Sequence, residues 1–405
     1  MGSNFIASTS IGCLFCYKGC NADKLRNAFT FVPPEPSYVV EADAEDKTQG
    51  RIVYSQALLR TSAIYRQAVE SSKVHWLTTR KGSQIPVVWM RGRGPEEELA
   101  QEESSTEAPP PLVLLHCHGN ATDIGTMMGP YYEFAQVLGI EVLGVEYSGY
   151  GTATGKPSPG NTCADLEAAY DLLVCSGVSP ERIVAYGQSV GSGPVAALAT
   201  KRQLGGIILH SPLLSGIKVV DPAPEACCRP SCVWKCFDFY PNHEKIKSMS
   251  CPVLIMHGQS DDIIPFYHGY KLHEACPKTQ RWPAYFPVRG GHNNLVETDP
   301  RTYFLELSKF LRDVQRIAAG FKVEPPTLER PQQVGMVASV AKGLPRISGG
   351  GAEAAAVCIG VAAGDREERC CAVTEPRAGP EDGRYVAARK GNILAVGGPR
   401  VPEKA

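Results

Sequence analysis

Arg182–Ala199 reads R-I-V-A-Y-G-Q-S-V-G-S-G-P-V-A-A-L-A. Ile183 to Tyr186 is a short apolar run of the kind that builds a buried strand, and the Ala-rich stretch after Gly191 favours a helix. Between them, Gly187-Gln188-Ser189-Val190-Gly191 is a G-x-S-x-G pattern with a strand before it and a helix after it. The two glycines have a steric purpose. A serine at the apex of a sharp strand-to-helix turn sits in strained backbone, and side chains two residues to either side would collide with the strand and the helix. Such a turn holds the Ser189 hydroxyl clear of the sheet. It also aims the Val190 N–H, at the start of the new helix, toward any oxyanion formed there.

The five residues alone fit an ordinary strand–turn–helix connection equally well, so the decision comes from what surrounds them. Leu112 to His116 is an apolar run that leads into Cys117-His118-Gly119-Asn120-Ala121. A loop after such a strand is where a second backbone oxyanion donor belongs, and Asn120 takes that place, with Ala121 as the alternative. His118 reads as a histidine that hydrogen-bonds the loop rather than a catalytic one. Cys251 to His257 is a buried strand followed by Gly258-Gln259-Ser260-Asp261-Asp262, an acid on the loop after a late strand. Asp261 is the expected acid. Asp262 competes with it, and an acid here could instead cap a helix from Pro265 onward. Ala284 to Val288 reads as the last strand, followed by Arg289-Gly290-Gly291-His292, where two glycines give a loose turn to carry an imidazole. Ser189, Asp261 and His292 thus follow in an order that suits a nucleophile, an orienting acid and a base at one sheet edge.

The remaining chain supplies the frame. His75 to Arg80 and Gln84 to Arg91 flank Lys81-Gly82-Ser83 as a hairpin. Ile140 to Tyr147 and Gly206 to Leu209 are further inner strands. Asn161 to Ser176 has helical spacing, with Leu166, Ala169, Tyr170 and Leu173 on one face. Tyr267 to Cys276 and Pro300 to Ala318 are further helices. Gly92 to Pro111 is an acidic, Pro-rich exposed loop. Leu213 to Ser250 breaks the strand–helix rhythm and carries Cys227, Cys228, Cys232 and Cys236 beside Phe237, Phe239 and Tyr240. It reads either as a lid or substrate wall or as a small packed excursion whose cysteines act as small hydrophobes; a four-cysteine zinc site is a third option, weakened by the adjacency of Cys227 and Cys228.

With 405 residues, 43% of them hydrophobic, the chain can bury one large α/β domain with extensions, and a net charge of -1 gives no global pull toward nucleic acid or anionic membranes. The first twenty residues lack the basic start of a secretory signal, and no apolar run reaches the roughly 18 residues of a spanning helix. The 15 cysteines are therefore expected to be mostly free thiols in a reducing compartment. Cys13, Cys16 and Cys20 lie among Phe5, Ile6, Leu14, Phe15 and Tyr17. Three ligands with no neighbouring histidine do not make a zinc site, so no metal is expected; reversible S-acylation and an incidental cysteine-bearing tail both fit. Gly2 suits myristoylation, but Ile6 stands where that motif wants Ser or Thr. Phe31 to Tyr38, with three prolines, is expected to be extended along the domain surface.

Taken together, the C-L-F-C at Cys13–Cys16, P-P-E-P-S-Y at Pro33–Tyr38, H-G-N-A at His118–Ala121, Y-S-G-Y-G at Tyr147–Gly151, Y-G-Q-S-V-G at Tyr186–Gly191, H-S-P-L at His210–Leu213, C-F-D-F-Y-P-N at Cys236–Asn242 and G-G-H-N at Gly290–Asn293 resemble the alpha/beta-hydrolase domain-containing protein 17 family, serine hydrolases that depalmitoylate proteins. The resemblance covers residues 13–38 and about 75–315. It implies an α/β fold of the alpha/beta-hydrolase kind, a mostly parallel sheet with helices on both faces, to which the residues themselves add an N-terminal hairpin, a small lid-like excursion and, from a Gly-, Ala- and Arg-rich stretch with little periodicity, a disordered C-terminal tail. The expected domains are an acylated anchor segment at 1–40, a hydrolase domain at 41–318 with the excursion at 213–250, and a low-complexity tail at 319–405. It also implies cleavage of palmitoyl thioesters on S-acylated proteins by Ser189, Asp261 and His292. Peripheral attachment through Cys13, Cys16 and Cys20 to the cytoplasmic face of the plasma or endosomal membrane is implied as well. No cofactor and no nucleic-acid partner are expected, and the chain is expected to be a monomer. The chain departs from the family pattern in a sparser N-terminal cysteine cluster, in insertions around Glu96–Glu107 and in the cysteine-rich excursion, and in the tail. A lipase or esterase acting on lipid or small esters, and a non-enzymatic membrane scaffold, are the competing readings.

Overall fold

Unbroken apolar runs along the inner strands call for a sheet buried on both faces, and that is how the chain folds. The computed structural model describes residues 30–55, 62–92, 110–220 and 238–326, together with Asn27 and Leu59. Gly2, the cysteines at 13–20 and 227–236, most of the acidic loop and the tail beyond 326 lie outside the described residues, as does the whole of a second unit, Ala352–Ala405.

In chain order the elements are β1 (Val39–Ala42), β2 (Gln49–Val53), α1 (Ala63–Glu70), β3 (Ser72–Thr78), β4 (Gln84–Met90), β5 (Val113–Cys117), α2 (Ile124–Leu138), β6 (Glu141–Val145), α3 (Pro159–Cys175), β7 (Ile183–Gln188), α4 (Ser192–Ala199), β8 (Gly206–His210), β9 (Val253–Met256), α5 (Tyr267–Ala275) and α6 (Pro300–Ala318). The nine strands form one sheet in the order β1-β2-β3-β4-β6-β5-β7-β8-β9. β1 to β4 and the β4–β6 pair are antiparallel, and β6, β5, β7, β8 and β9 are parallel. Successive residues feed opposite layers. Val113, Leu115, Ile183, Ala185, Ile207, Leu209, Val253 and Ile255 pack in the layer that includes residues of α3, α4 and α5. Leu114, Val184, Tyr186, Ile208, Leu254 and Met256 pack in the layer that includes residues of α1, α2 and α6. A one-residue slip of any inner strand would exchange the two sets, so register is fixed by burial.

The long helices are bounded by local chemistry. The side chains of Ser158, Asp123 and Asp299 accept from the N–H groups of Asn161, Thr126 and Thr302, and a proline follows directly in α3 and α6. α6 buries Tyr303, Phe304, Leu307, Phe310, Leu311 and Val314, a stripe with helical spacing against the sheet.

Three expectations change. Residues 284–288 do not form a strand: only isolated bridges join Val253 to Arg281 and Met256 to Tyr285. Pro283 and Pro287 lack the N–H that a ladder needs. The hairpin is the inner half of a four-stranded antiparallel edge, because β1 and β2 precede it and extend the sheet outward. Nor does the domain begin at residue 41. That boundary falls inside β1, and Phe31 and Tyr38, at 4% and 3% exposure, are anchored in the two core layers.

Candidate active site

The turn after β7 places Ser189 at φ +53°, a left-handed conformation that a non-glycine residue adopts only under surrounding constraint. Packing supplies that constraint. A Cβ on Gly187 would stand 2.5 Å from the Gly191 carbonyl oxygen, and one on Gly191 would stand 2.5 Å from the Cys117 carbonyl oxygen. Both glycines are therefore required by close approach, as the sequence suggested. The Ser192 hydroxyl donates to the Ser189 carbonyl at 2.6 Å. It accepts in turn from Asn242 Nδ2 at 3.3 Å, and Asn242 Nδ2 also donates to the Leu213 carbonyl. The Tyr240 ring lies on Gly193, where a Cβ would meet Tyr240 Cγ at 2.1 Å. The described ends of the excursion thus pack as core against the nucleophile turn: Leu213, Leu214, Tyr240, Ile246 and Met249 are buried.

His292 Nε2 lies 3.0 Å from Ser189 Oγ, and His292 Nδ1 lies 2.8 Å from Asp261 Oδ2. All three side chains are largely buried, at 8%, 8% and 7% exposure for Ser189, Asp261 and His292. Asp261, on the loop after β9, is held from both sides. Its Oδ1 accepts from the N–H groups of Ile263 at 3.0 Å and Ile264 at 2.8 Å, and its Oδ2 faces a second imidazole, His257 Nε2, at 3.1 Å. Burial alone would push this carboxyl up, but the hydrogen bonds and charge of His257 and His292 outweigh it and hold the group well below the usual carboxylate range. Asp262 is exposed. No side chain caps α5, so neither acid serves as its helix cap.

The loops carrying acid and imidazole are fastened to each other. The N–H groups of Gln259 and Ser260 donate to the carbonyls of Pro287 at 2.9 Å and Gly290 at 3.0 Å, and the Ser260 hydroxyl donates to the Val288 carbonyl. A Cβ on Gly258 would stand 1.9 Å from the Gly290 carbonyl oxygen. Gly258, and Gly290 two residues before His292, where a Cβ would stand 2.5 Å from Leu295 Cδ1, therefore serve close contact between the two loops.

On the other flank, His118 is a structural residue, as expected. It is fully buried, with Nε2 3.1 Å from Glu146 Oε1 and Nδ1 2.8 Å from the Gly119 carbonyl oxygen. Glu146 also accepts from the Tyr38 hydroxyl and from the N–H groups of Ile124 and Tyr147. Gly119 abuts Gln188, and the Tyr147 hydroxyl donates to the His118 carbonyl at 2.6 Å. The loop bearing Asn120 and Ala121, the latter at φ +54°, is thereby seated beside the Ser189–Val190 turn. Burial holds His210, at the end of β8, neutral, with its imidazole pushed down to about 3. Among the described residues no cluster of His, Cys, Asp or Glu could hold a metal ion, and no helix is long and apolar enough to cross a membrane.

Comparison with known proteins agrees with this architecture. The chain is 33% identical over 297 residues to alpha/beta hydrolase domain-containing protein 17B of Homo sapiens, covering 73% of this chain and 93% of that protein. The chain belongs to the alpha/beta hydrolase domain-containing protein 17 family. A 17C member from Xenopus laevis is 34% identical over 70% of this chain and 88% of its own length. A solved esterase, Pf2001 of Pyrococcus furiosus, aligns over 70% of this chain and 97% of its own, with a TM-score of 0.48 and 14% identity. No family profile matches the chain. Membership makes the protein an alpha/beta hydrolase, and the family motifs in its sequence meet at one sheet edge: H-G-N-A, Y-G-Q-S-V-G and G-G-H-N supply the loops just described. Three contributors escaped the sequence reading. His257 is hidden as a polar end to an apolar run, although its place four residues before Asp261 was visible. Asn242 and Ser192 carry no local signal, since their pairing spans 50 residues.

Proposed function

We propose that this alpha/beta hydrolase is a membrane-associated serine hydrolase that removes palmitoyl and related S-acyl groups from proteins through an acyl-enzyme. The observation that carries the serine mechanism is the His292 imidazole, bonded at 3.0 Å to Ser189 and at 2.8 Å to Asp261. Asp261 accepts from His292 Nδ1–H, which leaves Nε2 as the base. Ser189 Oγ attacks the thioester carbonyl carbon while its proton passes to His292 Nε2. The carbonyl oxygen takes up negative charge, and the backbone N–H groups of Asn120 and Val190 receive it; losing one such donor typically costs about 3–4 kcal/mol of barrier. When the tetrahedral species collapses, the C–S bond breaks, and the thiolate departs and takes the proton from His292. Water then repeats the sequence on the acyl-enzyme, releasing the fatty acid and restoring Ser189. The chain's own residues supply base and electrophile, so no cofactor enters.

Thioester cleavage is favoured over other esters by the family motifs in the sequence and by the chemistry of the leaving group, a thiolate that departs readily. Hydrolysis of a palmitoylated peptide thioester, measured beside that of a monoacylglycerol on the purified full chain, tests the choice. We expect the thioester to be turned over with the higher kcat/KM and to compete with a fluorophosphonate probe for Ser189. Preference for the acylglycerol would move the assignment to a lipase. Attachment is assigned to S-acylation of Cys13, Cys16 and Cys20, because several chains anchor stably where one binds only marginally. The C13S/C16S/C20S variant is expected to lose hydroxylamine-sensitive palmitate labelling and to shift from the membrane to the soluble fraction; unchanged partitioning would remove the anchor from these residues.

A further inference from the structure

Asn120 enters the proposed mechanism through its backbone N–H, yet its side chain is committed to a distant part of the chain. Oδ1 accepts from the Val32 N–H at 3.0 Å and from the Tyr150 hydroxyl at 2.6 Å, and Nδ2 donates to the Thr30 carbonyl at 2.9 Å. The Val32 N–H is shared with the Tyr150 hydroxyl at 3.1 Å. One carboxamide thus pairs with the carbonyl of one residue and the N–H of the residue two further on, as a neighbouring strand would. Phe31, between those two, is buried at 4% exposure and pins the segment in the core. Pro33 and Pro34 follow and stiffen it.

The other end of the same peptide is also fixed. The Gly119 carbonyl can only accept, so the His118 Nδ1 facing it at 2.8 Å carries a proton. In a trans peptide the C=O and the next N–H point to opposite sides, so this bond sets the direction of the Asn120 N–H. His118 fixes the direction of that peptide, and the Thr30–Val32 segment, acting through the carboxamide, fixes where Asn120 stands.

We propose that Thr30–Val32 is a positioning strap for the reaction: by pairing with the Asn120 carboxamide, it holds the Asn120 N–H where the oxyanion forms. The proposal rests on the serine mechanism given above. An oxyanion donor acts only if it is already aimed at the position that charge will occupy, and a misplacement of about 1 Å can cost about 100-fold in rate. Loosening the strap should therefore lower kcat and leave ground-state binding nearly unchanged.

Two substitutions in the full chain separate this role from folding. Val32→Pro deletes the N–H that Asn120 Oδ1 and the Tyr150 hydroxyl share and extends an existing proline run, at a side chain that is 36% exposed. Tyr150→Phe deletes the second donor and keeps the buried ring. With p-nitrophenyl octanoate as substrate, each is expected to lower kcat about tenfold, with KM within about twofold and the melting temperature close to that of the wild type. Wild-type kcat in both variants would overturn the strap, as would kcat losses that only track lost thermal stability. A wild type that fails to react with a fluorophosphonate would instead remove the serine mechanism itself, so the two failures are distinguishable.

Discussion

Ser189→Ala is expected to yield a folded protein whose kcat is lower by about 10⁴- to 10⁶-fold, the loss typical when a nucleophile that acts as a unit with its base is removed. The substitution deletes one oxygen whose hydrogen-bond partner is the His292 imidazole. Alanine carries the same Cβ as serine, so the φ of +53° is no harder to hold than before. The frame that imposes it is untouched: Gly187 against Gly191, Gly191 against Cys117, and Tyr240 on Gly193. What remains is binding and the backbone N–H groups, which stabilise charge that no longer forms on an acyl-serine. The measurements are kcat on an acyl thioester, covalent labelling by a fluorophosphonate, and the melting temperature. Labelling should vanish while the melting temperature stays within a few degrees. Retained turnover in a cleanly folded variant would sink the serine mechanism.

The reach of the sequence follows from how local each signal is. The turn around Ser189 was legible because its requirements lie within five residues, and α6 was legible in full because Asp299, Pro300 and the Tyr303–Val314 stripe each speak for the same helix. Ser189 and Asp261 were legible as strand-end residues, since a parallel sheet brings such ends to one edge, and His292 by its place after them in the chain, although the strand expected before it does not form. The outer strands were not. β1 buries none of its four residues, and only pairing with β2 gives Val39–Ala42 a register. The stretch after Trp282 reads like a strand because Ala284, Tyr285 and Phe286 are apolar and pack against the core, but Val288 is exposed and two prolines deny the stretch a ladder. Hydrogen bonds that tie Asn120 to Thr30 and Val32, or Asn242 to Ser192, join residues 50 to 90 apart. No periodicity encodes such pairings, and an asparagine in a loop reads the same with or without them.

Asp261→Asn should lower kcat by about 10⁴-fold, the scale expected when the base is held in the wrong tautomer. The direction follows from the donors around the carboxylate. The Oδ1 position accepts from two backbone N–H groups, at Ile263 and Ile264, so an asparagine must place its carbonyl oxygen there. Its NH₂ then occupies the Oδ2 position and faces His292 Nδ1 and His257 Nε2. Donation to His292 Nδ1 puts the imidazole proton on Nε2, where it can no longer receive the proton of Ser189. His257 Nε2 also faces the Ile264 carbonyl at 2.9 Å and so carries a proton of its own, which now meets an NH₂ in place of an acceptor. The same substitution changes the acid limb of stability. Wild-type Asp261 has a carboxyl depressed below the roughly 3.9 of an unfolded chain, so the unfolded state binds its proton more readily. That contribution is present above about pH 4 and is lost as pH falls through the depressed value. Asp261→Asn lacks the group, so its stability should fall less than that of the wild type between pH 6 and pH 3, on the scale of roughly one protonation. Urea unfolding at those two pH values and kcat at neutral pH check both halves. A variant within tenfold of wild-type kcat would show that the tautomer of His292 is set by some group other than Asp261.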